Sequence, residues 1–351
     1  MKPFLSRAEC NALKGLAILG IVLHNYSHWL GFAIKENEYQ WQDRSNVRLI
    51  YELHFPGHLT FVQFLSYFGH YGVPVFLFLS GLGLVFKYEQ TNSAPVRTLP
   101  FLRYHYLKLF RLMIFGFVAF TMLDAITPSS HQYQFIDVIG QLGLFNNLLP
   151  DPSHVIWPGP FWFFGLMMQL YLIYRLFIYR RHWGFIVALM VICVLSQVFC
   201  APSGDTLEWI RYNMMGGMVP FGLGILAARY LPAIEWNKNI WALTVLILIP
   251  IIYFMCLSYQ SWFWVPVFII AINIAFIKVL PSFVTRYLLW IGGISAAMFV
   301  THPILRKIFI PISRSGDVYT GILLYLVATI VVAWLYHKML THIPKPHLHA
   351  E

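Results

Sequence analysis

The chain has 351 residues, of which 59% are apolar, 18% are Phe, Trp or Tyr, and only 11% are charged. A soluble domain of this length carries about a quarter charged residues and about half apolar ones, so the composition excludes an ordinary water-soluble enzyme. It fits a protein with aromatic belts at two water–lipid interfaces. The net charge of +10 does not point to nucleic acid, because the basic residues punctuate apolar runs instead of forming a patch. Positive cytoplasmic loops, and a site for an anionic ligand, account for it better.

A spanning helix needs about 20 mostly apolar residues. On that scale the chain predicts ten spans, near 12–32, 61–86, 104–125, 157–178, 183–200, 211–230, 240–258, 262–280, 287–309 and 319–340. The expected fold class is therefore all-α, a polytopic membrane helix bundle. Lys2 and Arg7 precede the first apolar run, but Lys14 interrupts it and no small-residue cleavage site stands out, so it reads as a retained helix rather than a signal peptide. The stretch 135–149 is too short to span and reads as re-entrant or interfacial.

With ten spans, 17 of the 24 Lys and Arg fall on the side of the termini and 7 on the other, which predicts both termini in the cytoplasm. Arg306, Lys307 and Arg314 are the local violation: either the ninth helix runs further than expected, or this cluster binds something. Two loops on the outer side, 33–60 and 126–156, are long enough to suggest function. The domain division is a transmembrane domain over 1–342 and a short polar tail over 343–351. Cys10, Cys193, Cys200 and Cys256 form no CxxC pair and read as small apolar residues.

Several ionisable groups fall inside these apolar runs, where they are costly and usually functional. In NALKGLAILGIVLHNYSHW, Lys14 reads either as a snorkelling cation or as part of a site. His24 reads either as a hydrogen-bonded core residue or as a general base working near neutral pH. His28 shares the helix face of His24, but no third ligand accompanies the pair, so no metal is expected. In YFGHYGVPVFLFLSGLGLVFKYE, Gly69, Gly72, Gly81 and Gly83 permit close helix approach, and His70, Ser80 and Lys87 accompany them. Arg103, Lys108 and Arg111 cover two turns at the start of the third span. They reflect either the positive-inside rule or a phosphorylated ligand. Trp162 lies in the fourth span. His302, followed by Pro303, lies towards the outer end of the ninth and is either structural or part of a polar site.

Taken in order, these segments resemble the acyltransferase-3 family of integral membrane acyltransferases. LKGLAILGIVLH is similar to its opening, a basic residue followed by an apolar run ending in His. GVPVFLFLSG is similar to Gly-Val-x-x-Phe-Phe-x-x-Ser-Gly, and RYHYLKLFR, a Trp-Phe helix and GGISAAMFVTHP follow in the expected order. The resemblance implies transfer of an acyl group, usually acetyl from acetyl-CoA, to a sugar or related acceptor. His24 would be the catalytic base or acyl relay, and Lys14 its basic partner. Lys87, Arg103 and Arg111 would face the coenzyme A phosphates, Ser80 and Trp162 would line the site, and His302 would orient the acceptor. Nine residues separate Lys14 from His24 where the family usually has ten, which turns the two about 80° apart on a regular helix.

The functional expectation is an O-acetyltransferase-like enzyme of the bacterial inner membrane. Its partners are an acyl-CoA donor, a carbohydrate or glycolipid acceptor and the lipid bilayer, without nucleic acid or metal. The alternative is a transporter or flippase of a polar lipid or sugar, against which the lack of an internal repeat counts.

Overall fold

In the computed structural model, residues 3–89, 96–128 and 130–347 are described. Lys2, used above for orientation, and the end of the polar tail from 348 lie outside them. Every regular element among the described residues is helical, apart from one isolated bridge between Pro3 and Pro232.

The first helix, α1 (Arg7–Ser27), starts five residues before the apolar run because a capping box sets its start. Ser6 Oγ accepts the Glu9 N–H at 3.2 Å, and Glu9 Oε2 accepts the Ser6 N–H at 2.8 Å. A connecting segment then leads to the amphipathic α2 (Asp43–His54). The second expected span is α3 (Thr60–Phe68) and α4 (Gly72–Tyr88), joined by a 3-10 turn over Gly69–Tyr71. The third is α5 (Thr98–Ile126). Two short helices follow, α6 (Phe135–Gly143) and α7 (Pro152–Val155), and α6 is indeed too short to span.

The fourth span is α8 (Trp162–Ile173), preceded by a 3-10 turn and extended by a five-residue π turn over Tyr174–Ile178. The remainder comprises α9 (Trp183–Val198), α10 (Asp205–Tyr212), α11 (Met214–Tyr230), α12 (Lys238–Cys256), α13 (Tyr259–Trp262) and α14 (Val265–Val279). It closes with α15 (Ser282–Ser315) and α16 (Val318–His342). Helix α15 runs six residues past its expected end, so that Arg314 lies on the same helix as Arg306 and Lys307.

Among the described residues, six segments are long and apolar enough to cross a membrane: Thr60–Tyr88, Thr98–Ile126, Gly159–Ile178, Lys238–Cys256, Ser282–Ser315 and Val318–His342. The other four expected spans coincide with α1, α9, α11 and α14, which are helical but fall outside that length-and-hydropathy measure. Leu246 and Phe254 on α12, and Leu323 and Leu335 on α16, point outward and exposed, as lipid-facing positions do.

Helix α1 sits at the centre, packed along α15 and against α3 and α4, while α16 packs along α15 and also reaches α1, the Tyr325 hydroxyl donating to the Val22 carbonyl at 3.0 Å. The α1–α15 contact is backbone to backbone. A Cβ on Gly15 would lie 2.1 Å from the Leu288 carbonyl oxygen, and one on Gly292 would lie 1.9 Å from that of Asn11. Only glycine admits this approach, and small residues serve membrane helices in the same way generally. On the other side of α4, α11 packs closely, and α12 pairs with α14. The result places the C-terminal end of α1, with its histidines, among α3, α8, α10 and α15.

Candidate active site

A cavity of about 290 Å³ opens at that end of the bundle. His24 lines it, together with Asn25, His28 and Trp29 from the end of α1, Glu38 and Tyr39 from the connecting segment, and His70 from the 3-10 turn. Trp162 from α8, Glu208 and Tyr212 from α10, and Phe299 and Arg306 from α15 also line it. Val73 of α4, Ser153 of α7 and Trp157 line it as well, so the site draws on segments from all along the chain.

His24 is buried, and its Nδ1 lies 2.9 Å from the Ser66 carbonyl oxygen. A carbonyl can only accept, so Nδ1 carries the proton and Nε2 keeps its lone pair. Ser66 lies in the last turn of α3, where helix geometry leaves carbonyls open to outside donors. Its own hydroxyl donates to the Ile34 carbonyl at 2.6 Å, fastening the connecting segment to the same turn. The outcome is an imidazole held in one tautomer, the arrangement a general base requires.

Two further imidazoles stand beside it. The His28 ring centroid is 4.9 Å from that of His24, and the His70 centroid is 5.3 Å away. His70 Nδ1 lies 3.2 Å from Glu38 Oε2, an ion-pair distance, although the ring N–H is not aligned for a good hydrogen bond. Burial drives the Glu38 carboxyl upward, but the adjoining His70 imidazole outweighs it and holds Glu38 below the usual carboxylate range. Glu208 is pushed the other way, by burial first and then by Asp151 and Asp205.

The opposite wall is aromatic. Tyr39 and Tyr212 stack face to face, 3.9 Å between centroids and 3° between planes, and Trp162 meets both edge-on. Asn147 fixes this wall: its Nδ2 donates to the carbonyls of Trp162 at 2.9 Å and Tyr212 at 2.6 Å. The Asn213 amide returns a 2.9 Å bond to the Asn147 carbonyl. Rigid aromatic faces alternating with carboxylate, amide and imidazole groups suit a flat polar ligand with hydroxyls. Among the described residues no three His, Cys, Asp or Glu side chains converge as metal ligands.

Of the eight residues singled out from sequence, His24 and Trp162 line this cavity. His302 lies behind it, fully buried, with Nδ1 3.2 Å from the Met298 carbonyl oxygen and its ring 5.8 Å from Phe299. Its Nε2 is buried without a partner among the described residues.

Lys14 lies ten residues back along an unbroken α1, about 15 Å of rise from His24. Its Nζ donates to Asn11 Oδ1 at 3.4 Å, and it does not line the cavity. Instead, the charges of Lys14 and Lys87 both reach Lys108, which gathers these cations at the other end of the bundle. Lys87 stands 4.0 Å over the Tyr104 ring, and Arg103 is exposed one residue earlier on α5. Arg111 is turned to a structural use, donating to the carbonyls of Leu340 and Ile343 at the end of α16. Ser80 Oγ donates to the Phe76 carbonyl of its own helix at 2.8 Å.

Glu38, Tyr39, Glu208, Tyr212 and Arg306 were not singled out individually as site residues. The length of the loop over 33–60 was the available signal for the first two, and the basic cluster the signal for Arg306. No curated protein and no solved structure significantly matches the chain. The sequence profile of the acyltransferase domain of the acyltransferase-3 family does, over residues 7–338. With that match running through α1, the cavity and most of α16, the chain belongs to the acyltransferase-3 family and is a membrane acyltransferase.

Proposed function

We propose that the enzyme moves an acetyl group from acetyl-CoA to a hydroxyl of a sugar or surface glycan, with His24 as the general base. The observation that carries this reading is the His24 imidazole, held by the Ser66 carbonyl with Nε2 free to accept, in a cavity walled by Tyr39, Tyr212 and Trp162.

The acceptor hydroxyl gives its proton to His24 Nε2 as its oxygen attacks the thioester carbonyl. The thiolate of coenzyme A leaves with the proton, so the products are an acetyl ester and free thiol. The Glu38 carboxylate, which lines the same cavity, stabilises the positive charge that His24 gains in the attack, and His70 beside it holds Glu38 in place. The donor enters from the opposite end, where Lys14, Lys87 and Arg103 supply cations for its phosphates and where Ser80 and Arg111 belong to the surrounding helices. The pantetheine arm then has about 15 Å of α1 to traverse. His302, behind Phe299, orients the wall on the acceptor side.

In this reading the bundle has ten spans in a bacterial cytoplasmic membrane with both termini inside. The basic residues gathered with the termini support that orientation. The test is acetyl-CoA turnover by the purified, detergent-solubilised protein. Release of coenzyme A that needs His24 supports the reading, and folded wild-type protein that turns over no acyl-CoA rejects it. Acetyl label retained on the protein without acceptor would make His24 an acyl relay rather than a base.

A further inference from the structure

Arg306 lines the cavity, and the reaction above leaves its chemistry unused. It lies one turn beyond His302 on α15 and is only 5% exposed. A buried guanidinium is expensive and is ordinarily paired with a carboxylate. Its neighbour shows the ordinary case, since Lys307 forms an ion pair with Asp124. Arg306 has no carboxylate within ion-pair distance among the described residues. Its Nη1 donates to Asn25 Oδ1 at a long 3.3 Å, and its guanidinium carbon stands 4.4 Å over the Trp29 ring. A neutral amide and an aromatic face hold the group in place without neutralising it.

The rest of the fork opens onto the cavity. Arg306 lines it, and none of its nitrogens is both buried and without a partner. The carboxylates that share this cavity are committed elsewhere: Glu38 to His70, and Glu208 to the Gln40 amide at 3.3 Å. An entering anion therefore meets one buried, uncompensated cation with several donors in a plane, the geometry that carboxylate and phosphate oxygens match. Asn25, which holds Arg306, follows His24 directly on α1. An anionic group seated on Arg306 brings the adjoining ring towards the His24 imidazole.

We propose that the acceptor is an acidic sugar, bearing a carboxylate or a phosphate, and that Arg306 binds that group so that a neighbouring hydroxyl meets His24. This inference rests on the acetyltransferase reading above. It adds the charge of the acceptor, which neither the family match nor the aromatic wall supplies.

The experiment uses the full-length protein in detergent with radiolabelled acetyl-CoA. Oligosaccharides released from the surface glycans of the producing cells are separated by charge into neutral, carboxylated and phosphorylated fractions. Label entering a charged fraction is the expected result, and the fraction labelled tells carboxylate from phosphate. With that fraction, Arg306→Gln raises KM at least tenfold while kcat stays within about threefold, and Arg306→Lys recovers part of the loss. The lysine variant also guards against a glutamine variant that fails to fold.

Transfer mainly to neutral glycans overturns the inference and leaves the acetyltransferase reading standing. So does a fall in kcat at unchanged KM in Arg306→Gln, which would make Arg306 a stabiliser of the reaction's oxyanion instead. Label in no glycan fraction, with acetyl-CoA still hydrolysed in a His24-dependent way, removes the sugar acceptor and the inference together.

Discussion

His24 and Ser66 are joined across 42 residues of sequence by a 2.9 Å hydrogen bond from the imidazole Nδ1–H to the backbone carbonyl. Because the acceptor is backbone, the tautomer of His24 depends on where α3 ends and not on any second side chain. A base contributes about 10²- to 10⁴-fold in rate when correctly placed. His24→Ala is expected to lower kcat/KM by that range while the protein remains monodisperse. His24→Gln, which can keep an amide N–H towards Ser66 but offers no comparable base, should be equally inactive and closer to wild type in melting temperature. Activity in His24→Gln above a tenth of wild type would remove His24 from the base role.

The 3-10 turn that follows Ser66 also packs tightly against α1. A Cβ on Gly69 would lie 2.5 Å from the Gly20 carbonyl oxygen and 2.6 Å from the Cβ of His24. Backbone cannot yield as a flexible side chain can, so Gly69→Ala must push the turn and α1 apart. We expect a cost of about 1–3 kcal/mol and a loss of activity beyond what that stability change explains, since His24 itself is displaced. Gly83 is the control. It was grouped from sequence with Gly69, Gly72 and Gly81 as a close-packing residue, but a Cβ there meets nothing within 4 Å. Gly83→Ala should be neutral, or stabilising by up to about 1 kcal/mol, with full activity. Paired thermal melts and turnover assays of the two variants check both statements.

Much of the helix order was legible because each span is a long apolar run, and all ten expected segments contain helix. Their ends were less legible. The true start of α1 was written in Ser6 and Glu9, a local capping signal, whereas the break at Gly69–Tyr71 depends on α1 lying against it. The site divides in the same way. His24 and Trp162 stood out through local motifs. The stack of Tyr39 on Tyr212 joins residues far apart in sequence, and no local pattern announces such a pairing. Arg111 shows a contact no local pattern announces: its Nη2 donates to the carbonyls of Leu340 and Ile343 at the end of α16.

Glu38 gives the site a dependence on pH. Its carboxyl is held below the ordinary value of 4.5 because the His70 imidazole 3.2 Å away outweighs the opposing effect of burial. A depressed carboxylate stabilises the fold fully above its unfolded pKa, and that contribution disappears as pH falls through the lowered folded value. Wild-type protein should therefore lose melting temperature as it is taken from pH 6 to below 4.5. Glu38→Gln should be less stable at pH 6, by about 1–3 kcal/mol, and should show a shallower acid decline. Melting curves of both proteins across that range decide the matter, and parallel declines would show that the His70–Glu38 contact contributes nothing.

At the opposite end of the bundle, Glu89 and Arg229 form the most completely made ion pair among the described residues. Arg229 Nε and Nη2 donate to the two carboxylate oxygens at 2.7 and 2.8 Å, and both side chains are about nine-tenths buried, at 9% and 10% exposure. The Tyr174 hydroxyl donates to the same carboxylate at 2.8 Å, and Arg229 reaches the Ile178 carbonyl at 3.0 Å. This fastens α4 and α11 to the π turn that ends α8. Removing one partner of such a pair strands the other charge, so Arg229→Ala should cost about 3–5 kcal/mol. Arg229→Lys keeps the charge but loses the planar fork, and should recover only part of that. The double variant Arg229→Met with Glu89→Gln should be more stable than Arg229→Ala alone, because no charge is left uncompensated. If the single alanine variant melted within about 2 °C of wild type, the pair would be solvated in the membrane-bound protein and would not clamp the helices. The kcat measured on the same samples at saturating acetyl-CoA, below the melting point, should stay near wild type, since the clamp does not reach His24.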